Sequence, residues 1–314
     1  MRRNLSVIVL FLILVLVIGI TDTNIASQVL EKAKPEMIAG ATYDEFGGAL
    51  GYANSGDNPN SRYYVNLDFY NMTSDDELTI IPKFKTLQQS TEWSCGNIAA
   101  LMVLAHFGNT DFTEIELAEI MQSSTDLDTP NAKPGSANKF YQYGTDVKQL
   151  TEFFDNLAGF QVLETSYKAE YDESDLVGEN DGLTPGVVGN LRPTFTPQSL
   201  YTTENDADSE NWAVAADSYF VDWLTNHLNA GRPIMIEWGD WNGHWQVIIG
   251  YDTNGTPEIG DDILIFADSY DTSDHWQDGY YYYPLERWFT MWADCNYAAK
   301  PYQLQPFLVI DVVN

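Results

Sequence analysis

Residues 81–108 read IPKFKTLQQSTEWSCGNIAALMVLAHFG, which joins a short apolar run to a Cys-Gly pair and a helical pattern. Ser94 precedes apolar residues at helical spacing, and Gly108 is a typical helix stop. The apolar positions are Ile98, Leu101, Met102 and Ala105. The sequence therefore predicts a helix over 94–107 with a cysteine in its first turn.

Outward from this stretch, helical patterns come first and strand patterns follow. We expect helices at 94–107, 113–121, 145–157 and 218–229, and strands at 78–84, 234–238, 245–251, 263–268, 280–283 and 307–312. A capping box of Thr113 and Glu116 opens the second helix, Thr145 caps the third, and Pro82 makes the first strand an edge strand. Helices followed by a run of strands indicate an α+β fold.

Cys95 is the candidate nucleophile. A thiol at a helix N-terminus faces the positive end of the helix dipole, which favours the thiolate. Gly96 is expected to let a carbonyl approach the backbone closely. The backbone amide of Cys95 and the side-chain amide of Gln89 are then candidate donors to an oxyanion.

His244 is the candidate base, because it stands beside Gly243 at the start of an apolar strand. The next strand delivers Asp268, which is suited to orient the imidazole. Asp271 and Asp252 are fallback candidates for this role.

These motifs together resemble papain-like cysteine peptidases, and within them the double-glycine, bacteriocin-processing family. The segments that carry this resemblance are Gln89-x5-Cys95-Gly96, followed by GRPIMIEW, GHWQVIIGYD and ILIFADS at 231–238, 243–252 and 263–269. The resemblance implies a two-lobe fold, in which a helical lobe with the Cys packs on an antiparallel, barrel-like sheet with the His. It also implies Gln89 as oxyanion donor, Cys95 as nucleophile, His244 as base and Asp268 as orienter.

The chain departs from that family in three places. Ser269 stands where the family usually has proline, the gap from His244 to Asp268 is long, and an acidic insertion occupies about 169–216. The chain has no transporter domain, so cleavage after Gly-Gly is not expected to carry over.

The N-terminus predicts export. Arg2 and Arg3 precede an uncharged apolar run at 5–20, which is typical of a signal peptide or an N-terminal anchor. Either keeps the arginines inside and exports the rest of the chain to the cell surface or the medium. We divide the chain into this segment at 1–21, a polar extension or pro-segment at 22–75, and a peptidase domain at 76–314.

Composition limits the partners. The 314 residues include 15 Lys+Arg and 46 Asp+Glu, for a net charge of −31, which disfavours nucleic acid and anionic lipid surfaces. The expected partner is a peptide or protein substrate, and membrane contact is expected only through an uncleaved N-terminal segment. No cofactor or metal is expected, since Asp206-x-Asp208-x-Glu210 lacks the glycine and closing glutamate of a calcium loop.

Two other functions use the same residues. The first is a non-catalytic exported surface module in which Cys95 forms a disulfide with Cys295. The second is acyl transfer to an amine, as in transglutaminase-like enzymes, which needs the same Cys-His-Asp set as hydrolysis.

Overall fold

A computed structural model of the chain describes residues 36–37, 67–176, 191–240, 243–270, 278–293 and 304–313. The chain separates into two compact units, Met1–Lys34 and Pro35–Asn314. The first unit lies outside the described residues, as do the predicted signal segment, most of the polar extension, Asp271 and Cys295.

Pairing between strands distant in sequence builds one seven-stranded antiparallel sheet. Its strand order is β4-β9-β5-β6-β7-β8, and β2 pairs with β6 beside this path. The strands are β2 (Leu78–Ile80), β4 (Phe160–Thr165), β5 (Ile234–Trp238), β6 (His244–Asp252), β7 (Ile263–Ala267), β8 (Tyr280–Pro284) and β9 (Phe307–Val312). A separate two-stranded parallel pair joins β1 (Glu36–Met37) to β3 (Leu87–Gln88).

Five α-helices surround this sheet in the described part of the chain. They are α1 (Cys95–His106), α2 (Glu114–Met121), α3 (Val147–Asn156), α4 (Tyr219–Asn229) and α5 (Leu285–Ala293). The first helix is apolar on nearly every side, with residues 95–104 all buried, so it forms the centre of the core. It packs against β6, the central strand of the sheet.

The α+β class predicted from the sequence is confirmed, and the predicted elements agree with the observed ones to within a few residues at their ends. The capping box of Thr113 and Glu116 is present, and β2 is an edge strand that pairs with β6. The cap assigned to Thr145 was wrong, because the side chain of Asp146 accepts from the Gln149 amide and starts α3. Strand β4 and helix α5 were not predicted.

Within the described residues, no helix is both long enough and apolar enough to cross a bilayer. The apolar run at 5–20 is outside those residues. The described parts of the acidic insertion, 169–176 and 191–216, contain only 3-10 turns and isolated bridges as regular structure.

Candidate active site

Cys95 is the first residue of α1 and is 7% exposed. Its backbone amide therefore belongs to the first helical turn, whose N–H groups have no partner within the helix. Among the described residues Cys95 is a free thiol, and Cys295, its partner in the non-catalytic alternative, lies outside them.

His244 begins β6, where Trp238 of β5 is its register partner. Gly243 directly before it has a φ of 113°, a backbone conformation that side chains other than glycine's rarely adopt. This glycine lets the chain turn into the strand so that the imidazole lies at the strand end. His244 is 3% exposed.

Asp268 directly follows β7, the strand that pairs with β6. Its Oδ1 lies 2.6 Å from His244 Nε2 and also accepts from the Tyr270 amide at 2.8 Å. The other oxygen, Oδ2, accepts from the side chain of Gln246 at 2.9 Å. The carboxylate is thus held at both oxygens, with one of them directed at the imidazole.

Electrostatics favour a charged pair of His244 and Asp268. Burial by itself lowers the pKa of His244, but the charge of Asp268, its hydrogen bond and a contribution from Cys95 raise that pKa well above 6.5. Burial also raises the pKa of Asp268, and the attraction of His244 with the surrounding hydrogen bonds outweighs it, so this pKa falls below 3.8. The imidazolium and the carboxylate are the stable forms near neutral pH.

Cys95 and His244 line the same cavity, and the interaction of Cys95 with the imidazole helps to raise the pKa of His244. Since Nε2 of the imidazole faces Asp268, Nδ1 is the nitrogen left for the sulfur. The order sulfur, imidazole, carboxylate is the geometry that allows a thiol to be deprotonated and a leaving group to be protonated.

Gln89 lies one residue after β3 and is 1% exposed. Its Nε2 donates to the Thr91 carbonyl at 2.8 Å, and its Oε1 accepts from Ser269 Oγ at 2.7 Å. The amide group is therefore oriented from both ends. It borders the cavity at Cys95, where its second amide hydrogen is suited to meet an oxyanion.

A cavity of about 470 Å³ opens beside these groups. Its lining includes Gln89, Cys95 and His244, together with Glu92, Phe140, Tyr143 and Tyr270. A second, smaller cavity of about 100 Å³ also reaches Cys95. A substrate that crosses from one cavity to the other would therefore pass the sulfur.

A model of the family described as Papain-like cysteine protease AvrRpt2 matches residues 196–277. The matched range contains His244 and Asp268 and lies C-terminal to Gln89 and Cys95. Together with the α+β fold, the match decides the class of enzyme. The chain is a cysteine peptidase, similar over these residues to papain-like enzymes. No curated protein and no solved structure matches it.

The match confirms the resemblance of this peptidase to papain-like enzymes but does not extend to the double-glycine family. A peptidase acts on peptides or proteins, which agrees with the substrate class expected from the sequence.

The structure gives Gly96 a packing role that the sequence did not predict, while the close approach of a carbonyl stays a prediction. A Cβ at this position would lie 2.8 Å from Thr145 Cβ and 3.3 Å from Trp245 Cδ1. The side chains behind α1 therefore require the glycine, because they leave no room for a methyl group. Gly96 lets the peptidase's helix approach β6 closely.

Three contributors to the site were not predicted from the sequence, namely Gln246, Trp238 and Tyr270. Gln246 follows His244 at the two-residue spacing that puts both side chains on one face of β6, and this spacing was an available signal. Its Oε1 accepts from Trp238 Nε1 at 2.6 Å. The ring of Tyr270 stands edge-on to His244 with centroids 6.0 Å apart.

Asp252 and Asp271, the fallback candidates for the orienting carboxylate, have different outcomes. Asp252 ends β6, at the opposite end of the strand from His244, so it is not the orienting carboxylate. Asp271 lies outside the described residues. Among those residues, no group of three His, Cys, Asp or Glu side chains is arranged to hold a metal ion.

Proposed function

We propose that this peptidase hydrolyses a peptide or isopeptide bond with Cys95 as nucleophile, His244 as acid and base, and Asp268 as orienting carboxylate. The observation that carries the proposal is the 2.6 Å hydrogen bond between His244 and Asp268, with His244 and Cys95 both at the wall of one open cavity. The carboxylate lies 2.6 Å from the imidazole, which suits it to hold one ring orientation and to favour the imidazolium.

In the acylation step, the sulfur of Cys95 attacks the carbonyl carbon, and a C–S bond forms as the carbonyl oxygen becomes an oxyanion. The Cys95 backbone N–H and the Gln89 side-chain amide donate to that oxygen. The oxyanion then collapses, the C–N bond breaks, and the His244 imidazolium gives its proton to the leaving amine.

In the second step, water attacks the thioester. His244 accepts a proton from the water as the new C–O bond forms. The C–S bond breaks, the carboxylic acid leaves, and the thiolate–imidazolium pair returns. An amine in place of water would give acyl transfer through the same side chains, so product analysis with an added primary amine separates the two outcomes.

The test is hydrolysis of fluorescein-labelled casein and of p-nitrophenyl acetate by the full chain. Cys95→Ala should abolish both activities while the circular dichroism spectrum stays unchanged, and Cys295→Ala should keep them. Iodoacetamide should label Cys95 faster than Cys295 in the native protein. Full activity of the Cys95→Ala variant would refute the proposal.

We also propose that the peptidase is exported and stays tethered or is released by cleavage of its N-terminal segment. Support comes from Arg2, Arg3 and the uncharged apolar run at 5–20. Protease added to intact cells should digest the peptidase domain if it lies outside. Protection from that protease, with digestion only after lysis, would contradict export.

A further inference from the structure

Glu114 is a fully buried carboxyl group behind the loop that leads to Cys95. It is the first residue of α2 and is 0% exposed. Among the described residues, it is not one of those that line the two cavities at Cys95. Its effect on the reaction must therefore pass through the residues it contacts.

Both carboxyl oxygens of Glu114 accept hydrogen bonds from this loop. Oε1 accepts from the Ser90 amide at 3.0 Å and from Ser94 Oγ at 2.5 Å, and Oε2 accepts from Ser90 Oγ at 2.5 Å. Both serines are at most 1% exposed. Buried hydrogen bonds to an acidic group are short and strongly directional, so they fix the path of residues 90–94.

These bonds change how α1 begins. Ser94 is the N-cap residue, where a serine ordinarily accepts from an amide in the first turn of its own helix. In the described structure its side chain makes no such cap bond; the hydroxyl donates to Glu114 and accepts from Thr91 Oγ1 at 2.7 Å. The first-turn amides of α1, which start at Cys95, thus stay uncovered by Ser94.

The same loop determines the position of Gln89. The Thr91 carbonyl accepts from Gln89 Nε2, and Ser90 is the next residue in the chain. Glu114 therefore anchors the short segment that separates the Gln89 amide from the Cys95 amide. The separation and orientation of these two donors depend on that segment.

We propose that Glu114 is a positioning residue, which holds the Gln89 side-chain amide and the Cys95 backbone N–H in the geometry of an oxyanion hole. This inference rests on the proposed function, because it assigns Glu114 to the same acylation step. Misplacement of a donor by a fraction of an ångström is enough to slow such a step, since the donors must match the developing charge.

Two reagents separate this role from a general effect on the fold. p-Nitrophenyl acetate acylates a thiol through a tetrahedral oxyanion, whereas iodoacetamide alkylates it by direct displacement with no oxyanion. Glu114→Gln keeps the side chain's shape but replaces an acceptor oxygen with an amide donor that faces other donors. We expect the rate of Cys95 acylation to fall about 10- to 100-fold in the full chain. Alkylation should change less than about 3-fold.

Glu119→Gln is the matched control, because Glu119 lies on the same helix with its side chain exposed. Both rates should equal those of the unchanged protein. In a Gln89→Ala background, Glu114→Gln should cost much less acylation than it does alone, since the donor it positions is already gone.

An equal fall of acylation and alkylation, or no fall in either, would overturn the inference. Should Glu114→Gln fail to fold, Ser94→Ala removes a single donor to the same carboxyl and should also slow acylation selectively, by about 3-fold or more. The unchanged protein and Cys95→Ala serve as the reference pair. If the former acylates at Cys95, the proposed nucleophile stands whatever Glu114 does.

Discussion

His244 Nε2 and Asp268 Oδ1 lie 2.6 Å apart although 24 residues separate them in the chain, and each residue is 3% exposed. Pairing of β6 with β7 brings the two residues to one end of the sheet. A pair this buried is stable only when both charges are present and hydrogen-bonded. In the proposed mechanism, the protonation state of this pair therefore links the activity of the enzyme to the stability of its fold.

Asp268→Asn should lower the alkaline limit of the pH range in which the enzyme is active. The carboxylate raises the pKa of His244 well above 6.5, so its loss lets the imidazolium deprotonate at lower pH. We expect acylation by p-nitrophenyl acetate to fall about 10- to 100-fold near neutral pH. The alkaline limb of the pH–rate profile should move to lower pH, and an unmoved limb would contradict the assigned role.

The same variant should lose stability in a defined pH window. The raised pKa of His244 contributes stability that is complete below pH 6.5 and declines as the pH rises through the folded value. The lowered pKa of Asp268 contributes stability above pH 3.8, which is lost as the pH falls through the folded value.

Urea unfolding of the unchanged protein and Asp268→Asn should thus differ most between pH 3.8 and 6.5. The difference should be about 3 kcal/mol. Above this range the difference should decrease, because the unchanged protein also loses its imidazolium. A difference that stays constant from pH 5 to beyond the alkaline limb would show that the ion pair is not its source.

Gln246→Ala should weaken the hydrogen bonds that hold Asp268 beside His244. Gln246 is fully buried, donates to Asp268 Oδ2 and accepts from Trp238 Nε1. The variant leaves two buried polar groups without this partner, at about 1–3 kcal/mol of unfolding free energy. Loss of its donor should also raise the pKa of Asp268. We expect acylation to fall about 10-fold. Equal urea midpoints for the two proteins would contradict this account.

The sequence predicted the parts of the site that depend on local pattern. Cys95 begins α1, as the apolar repeat that follows it predicts, and His244 begins β6, as the apolar strand after Gly243 predicts. The α+β class followed from helices that precede strands, and the strands at 234–238 and 307–312 agree in both ends with β5 and β9.

What the sequence left unpredicted depends on contacts between distant residues. Ser269 was noted only as a departure from the expected proline, yet its hydroxyl holds Gln89 Oε1, a contact across 180 positions. The link from Glu114 to Ser90 and Ser94 needs the path of α2 beside α1, which no periodicity in the sequence specifies. Strand β4 alternates intermediate and exposed positions at the sheet edge, so its apolar signal is weak.

Gly96→Ala tests the close approach of α1 to β6. The added methyl group would lie 2.8 Å from Thr145 Cβ and 3.3 Å from Trp245 Cδ1, and the Trp245 ring is itself fixed by a bond from its Nε1 to the Thr145 carbonyl at 2.8 Å. Because neither neighbour can give way easily, we expect a loss of about 1–3 kcal/mol in urea unfolding.

Since Gly96 follows Cys95 directly, the displaced helix should also move the sulfur away from His244 and slow alkylation by iodoacetamide. Gly260→Ala is the control, because its Cβ would meet only Glu286 Oε2, at an ordinary distance of 3.7 Å. If Gly96→Ala were as stable and as reactive as Gly260→Ala, steric contact with Thr145 and Trp245 would not be the reason for this glycine.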